Sequence, residues 1–208
     1  MTKLELPISA DKISALKTGD VVKISGVIVT ARDAAHKYII EHFIDKAPAA
    51  EEKDLYDKIA SILDGGMIYH CGPVVAENNG KYRFVAAGPT TSIREEPYES
   101  RVIEKFGVRG IIGKGGMGDQ TLAACGKFKS VYLHAVGGAA SLIANSVEEV
   151  LDVYLKDEIG VPEAFWVIRV KDFDAVVTMD SHGNSLHKTV EDASKAIFNN
   201  LIEEIAKG

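Results

Sequence analysis

Three glycine-rich loops constrain this chain more than any other feature: GPTTSIR at 88–94, GKGGMGD at 113–119 and VGGAAS at 136–141. Each follows a β-branched apolar run and precedes a stretch of helical periodicity, the mark of a strand–loop–helix unit. Such units favour parallel strands joined by helical crossovers. They also leave free backbone N–H groups at helix N-termini, where anions settle. None of the loops has the spacing GxxxxGK[ST], and GKGGMG does not fit GxGxxG with a downstream acidic ribose binder.

The rest of the chain fits an α/β fold with a mixed sheet and flanking helices, as one domain over residues 1–208. The run VVKISGVIVT at 21–30 reads as a strand or hairpin, and ARDAAHKYIIEHFIDKA as an amphipathic helix ending before Pro48. A second helix is expected over 51–64, stopped by Gly65-Gly66. Short strands follow, with a turn at Asn78-Asn79-Gly80. Beyond residue 95 the pattern alternates helix and strand. It includes a helix over AASLIANSVEEVLDVYL, two strands (AFWVIRVKDF and AVVTMD) parted by a bend at DFD, and a closing amphipathic helix.

Cations stand at the ends of the predicted strands. Arg32 lies in TARDAAH, Arg94 in GPTTSIR and Lys114 in GKGGMG. Ligands of open α/β sheets gather at the carboxyl ends of strands. Two guanidinium forks and an ammonium meeting there suit a small dicarboxylate. Bland readings compete. Glu95 and Glu96 adjoin Arg94 and offer a surface ion pair, and Thr90 and Thr91 could cap the following helix. His36 is either a substrate group or a helix-face residue bonded to a backbone carbonyl. His70 and His134 sit in apolar strands and read as satisfied core residues. His182 and His187 lack metal-ligand spacing, and adjacency in Asp180-Ser181-His182 does not make a triad.

Composition narrows the partners. The formal net charge of −6 disfavours nucleic acid. No apolar run approaches the roughly 20 residues of a membrane span, and the first residues lack a secretory pattern, so a cytoplasmic location is expected. The two cysteines, Cys71 and Cys125, are isolated and read as buried small hydrophobes. They are too few to ligate an iron–sulfur cluster.

The ordered segments GDVVKISGVIVTARDAAHK, GPTTSIREEP, FGVRGIIGKGGMG, VYLHAVGGAASL and DFDAVVTMDSHGNSL resemble the beta subunit of class I fumarases and L-tartrate dehydratases. The likeness runs from about residue 5 to about residue 200, nearly the whole chain. It implies a swivelling β/β/α domain and reversible hydration of fumarate to L-malate. A [4Fe–4S] cluster would be held by a partner alpha subunit and not by this chain, in a hetero-oligomer that acts on a small dicarboxylate. The alternatives are an L-tartrate dehydratase beta subunit or a non-catalytic dicarboxylate-binding module. By the same resemblance Thr90 is the catalytic threonine and Arg32, Arg94 and Lys114 bind substrate, with His36 and Thr91 as further candidates. The resemblance also implies Met-Asp or Met-Glu after the arginine in many relatives, where this chain has Glu95-Glu96.

Overall fold

A computed structural model describes residues 1–207. In chain order the elements are β1 (Thr2–Glu5), α1 (Ala10–Ser14), β2 (Val21–Thr30), α2 (Asp33–Ile39), α3 (Lys53–Leu63), β3 (Met67–Tyr69), β4 (Val74–Asn78) and β5 (Lys81–Ala86). Then come α4 (Glu96–Phe106), β6 (Gly110–Gly113), α5 (Asp119–Phe128), β7 (Val131–His134), α6 (Ala140–Ala144), β8 (Val147–Tyr154), α7 (Lys156–Ile159), β9 (Phe165–Met179) and α8 (Leu186–Lys207). No described helix is long and apolar enough to cross a membrane.

The main sheet runs β1-β2-β3-β6-β7-β9-β8, and a further β2–β9 pairing closes the middle strands into a ring. β2, β3, β6 and β7 pair in parallel, whereas β9 is antiparallel to β2, β7 and β8. The sheet is therefore mixed, with helices flanking it. Alternate residues of β3, β6 and β7 feed two cores. Met67, Ile112 and Leu133 join one with Trp166, while Ile68, Ile111 and Tyr132 join the other beneath α2–α5. Burial on both faces is why these strands read as continuous apolar runs. The β4–β5 hairpin turns at Asn79 and Gly80, both with positive φ, as the Asn-Gly signal requires.

Two expectations are corrected and a third, strand or hairpin over 21–30, is resolved. The run 140–155 is not one helix: α6 stops at Ala144 and β8 follows. In β8 the apolar residues recur every third position, at Val147, Val150 and Val153, which mimics a helical period. Register shifts after Val147 and after Val150 align them with Val170, Ile168 and Trp166, every second residue of β9. Each bulge adds one residue and turns a period of two into three. Likewise β9 is one strand of 15 residues, and the DFD bend is a bulge with Asp172 in left-handed backbone. The segment 21–30 is a single strand, not a hairpin.

Opposite the Asp172 bulge of β9, Gly26 of β2 has φ +124°, and a Cβ there would stand 2.8 Å from Leu6 Cβ. Gly26→Ala is expected to cost about 1–3 kcal/mol through this strain and crowding, read as a lower thermal midpoint.

Candidate functional site

The parallel strands β2, β3, β6 and β7 end at Thr30, Tyr69, Gly113 and His134, all on one side of the sheet. The loops that carry Arg32, Thr90, Arg94 and Lys114 meet at this end. Backbone bonds lace them together. The Thr90 N–H donates to the His70 carbonyl (2.7 Å), Lys114 N–H to Thr90 (3.3 Å) and Ser92 N–H to Lys114 (3.1 Å). Thr91 and Lys114 thus form a one-residue parallel bridge.

Side chains complete the arrangement. Arg94 Nη2 donates to Thr90 Oγ1 at 2.8 Å and lies 3.2 Å from Asp33 Oδ2. The Arg94 and Asp33 side chains remain 44% and 43% exposed, so the group faces outward and can be reached. Lys114 is half-buried, and its stem lies 3.8 Å from where a side chain on Gly137 would begin. Arg32 is turned the other way: its Nη1 stands 3.1 Å from Glu163 Oε1, over Gly72, which has no Cβ to obstruct it. Arg94 pairs with Asp33 rather than with its neighbours Glu95 or Glu96. Thr90 and Thr91 cap no helix with their side chains. Thr91 is exposed.

The anion site expected at the start of α5 is corrected, because it is filled from within, and the start of α2 is filled in the same way. Glu96 accepts from Gly118 N–H (2.8 Å), Gln120 N–H (2.9 Å) and the Thr121 hydroxyl (2.6 Å), and so occupies the start of α5. Glu163 Oε2 accepts from Ala34 N–H at 3.0 Å, at the start of α2. The helix after VGGAAS has only five residues. The backbone N–H groups that open α5 and α2 are therefore already engaged by carboxylates.

His36 is fully buried, and its Nδ1 lies 2.9 Å from the Arg32 carbonyl, the backbone-bonded arrangement. His70 is buried as well, whereas His134 is only half-buried beside His187. Asp180 accepts N–H bonds from His182 and Asn184 and holds a turn rather than a triad. Cys71 and Cys125 are buried on different segments, and burial pushes both thiols up to about 12. Two cysteines on separate segments are fewer than the three or four thiolates that a cluster usually takes.

Sequence reasoning missed two carboxylates. Glu99 is fully buried between His36 and His70. Glu95 is fully buried too, and neither of its side-chain oxygens has a partner. Burial raises Glu95 to about 7, opposed by the charges of His36 and Arg94. Glu95 sits in the turn just before α4 and Glu99 on α4, both where a helix-surface residue was expected, and only their four-residue spacing could have signalled burial. Because the folded chain keeps a proton on Glu95 that the unfolded chain releases, stability falls as pH rises from about 4.5 to about 7. Glu95→Gln is expected to gain about 2–3 kcal/mol at pH 8 and little at pH 4, measured by urea titration at both.

Comparison with known proteins gives consistent matches. The family model described as fumarase C-terminus matches residues 1–190. A Geobacillus stearothermophilus protein provisionally named fumarate hydratase class I is 52% identical over 192 residues, which is 92% of this chain and 34% of that protein. This chain therefore spans about a third of that relative's length. The L(+)-tartrate dehydratase subunit beta of Escherichia coli (strain K12) is 41% identical over 184 residues, 88% of this chain and 85% of its own. A Methanocaldococcus jannaschii protein provisionally named L(+)-tartrate dehydratase subunit beta is 41% identical over 194 residues, 93% of each chain.

Proposed function

The chain belongs to the fumarase C-terminus family, and from that premise we propose that it is the beta subunit of an iron–sulfur hydro-lyase that interconverts fumarate and L-malate. In this reading the whole chain works as one domain in the cytoplasm, and a partner alpha subunit holds the cluster. This chain contributes the cations that hold the diacid and one hydroxyl. The observation that carries the proposal is the bond from Arg94 to Thr90, with Lys114 tied to Thr90 through the backbone.

Each residue has a definite task. Arg94 offers a planar fork to one carboxylate, and Lys114 adds a point charge beside it. Arg32 takes the second carboxylate by exchanging its contact with Glu163 for the substrate. Thr90 handles the carbon-bound proton. A threonine hydroxyl is a poor base, but the guanidinium that donates to its oxygen at 2.8 Å favours the alkoxide. In the dehydration direction Thr90 removes the proton next to a carboxylate, and the hydroxyl on the neighbouring carbon would leave as water with the Lewis acidity that a partner-held cluster would supply. The charge that develops on that carboxylate is held by Arg94 and Lys114. Closure by a partner would exclude water from these exposed groups and strengthen every one of these interactions.

A second reading, L-tartrate dehydratase beta subunit, is favoured by length: the tartrate dehydratase relatives match this chain nearly end to end. Identity favours the fumarate reading. Anaerobic co-expression with a cluster-bearing partner, then assays on fumarate, L-malate and both tartrate enantiomers, decides between them. Turnover of fumarate well above that of either tartrate is expected. A dicarboxylate that binds but never turns over would make the chain a binding module.

A further inference from the structure

Beneath the surface cations runs a buried relay of polar side chains that has no part in the steps above. Glu99 on α4, His36 on α2, His70 after β3 and Ser92 in the turn before α4 are each 0% exposed. Nε2 of His36 and Nε2 of His70 both stand 3.0 Å from Glu99 Oε2. His36 Nδ1 lies 2.9 Å from the Arg32 carbonyl. A carbonyl only accepts, so Nδ1 carries a proton. Nε2 lies 3.0 Å from the Glu99 carboxylate but off the line of a hydrogen bond, so the contact is one of charge, with His36 as an imidazolium beside the anion. His70 donates from Nε2 to Glu99, so its Nδ1 accepts the Ser92 hydroxyl at 2.9 Å. Ser92 in turn accepts from the Tyr132 hydroxyl at 2.9 Å.

The titration directions agree with this placement of protons. Burial disfavours the His36 cation, but the charge and contact of Glu99 and the Arg32 carbonyl together raise its pKa. Burial lowers that of His70 and outweighs the pull of Glu99. Burial would raise Glu99, yet the two rings bring it down to about 2. Asp33 adds negative charge near His70, Glu95 does so near His36 once it ionises above about pH 7, and Tyr98 stacks over His36 with ring centroids 6.4 Å apart. The same three residues offer ligand atoms within 4.8 Å of one another, a grouping that could hold a metal. Here each outer ring nitrogen has an oxygen partner and His70 Nε2 bonds Glu99, while His36 Nε2 and Glu99 Oε1 have no hydrogen-bond partner, so metal analysis is part of the test below.

We propose that Glu99 is a positioning residue: through His36 it fixes the backbone at Arg32, and through His70 and Ser92 it fixes the turn that carries Thr90 and Arg94. Two loops far apart in sequence thereby share one buried anchor. The inference rests on the reading of those residues as a dicarboxylate site.

Two measurements separate the inference from that reading. The first is amide hydrogen exchange on the chain alone. Glu99→Gln, which keeps volume and an acceptor, is expected to speed exchange about tenfold in both 32–36 and 90–95. Ser92→Ala is expected to loosen 90–95 only, and it carries the test if Glu99→Gln does not fold. The second is kinetics of the assembled enzyme. Glu99→Gln is expected to raise KM for the dicarboxylate about tenfold, more than it lowers kcat, because binding groups are displaced. Unchanged exchange in either segment, an unchanged KM, or one divalent metal ion per chain by elemental analysis would each overturn the proposal. A wild-type assembly without hydro-lyase activity would remove the functional reading instead, and the exchange pattern would still decide whether Glu99 ties the two loops.

Discussion

Lys114→Ala, in the chain assembled with a cluster-bearing partner, is expected to lower kcat/KM by roughly 10²–10³-fold with the fold intact. Lys114 enters no ion pair among the described residues, so its charge is uncommitted. It is held in place from the backbone side by Thr90 and Ser92. Alanine keeps those backbone bonds and removes only the ammonium. The loss should fall mainly on kcat, because charge on the carboxylate grows as the neighbouring proton leaves. Steady-state kinetics with a thermal melt of the same preparation checks both halves. A variant within about threefold of wild type would take Lys114 out of the site.

Glu99→Ala is expected to cost about 3–5 kcal/mol at pH 7, the largest stability effect anticipated for this chain. The substitution leaves the His36 cation buried without its partner and removes the acceptor of His70. The pH dependence has a definite sign. Glu99 titrates at about 2 in the folded chain against an ordinary value of 4.5. Its contribution is therefore present above about 4.5 and is lost as pH falls towards 2. The gap between wild type and variant in urea titrations should narrow steadily over that range. A cost near zero at pH 7 would mean that the rings and the carboxylate are not charged as the geometry requires.

Much of the fold was legible because its strands are buried on both faces and its turns use glycine and asparagine. The failures have one cause: β-bulges. They gave β8 a helical period and gave β9 the look of two strands. A bulge is set by strand pairing across the sheet, so it leaves no local signal. The site was legible in part. Arg32, Thr90, Arg94 and Lys114 each sit at the strand-to-helix junction expected from their loops. What sequence could not give is which acid meets which base. Glu96 fills the start of α5, Glu163 holds Arg32, and Asp33 rather than Glu95 pairs with Arg94. The buried His36–Glu99–His70 relay depends on three segments converging under the sheet's end, which no spacing along the chain encodes.

The central claim is that Arg32, Arg94 and Lys114 hold one small diacid beside the Thr90 hydroxyl. A crystal structure of the assembled enzyme with fumarate or tartrate bound tests it most directly. The account predicts ligand carboxylate oxygens within hydrogen-bond distance of Arg94 and Lys114, with Arg32 released from Glu163 towards the other carboxylate. A diacid bound elsewhere, with Arg94 still on Asp33 and Lys114 in solvent, would contradict it.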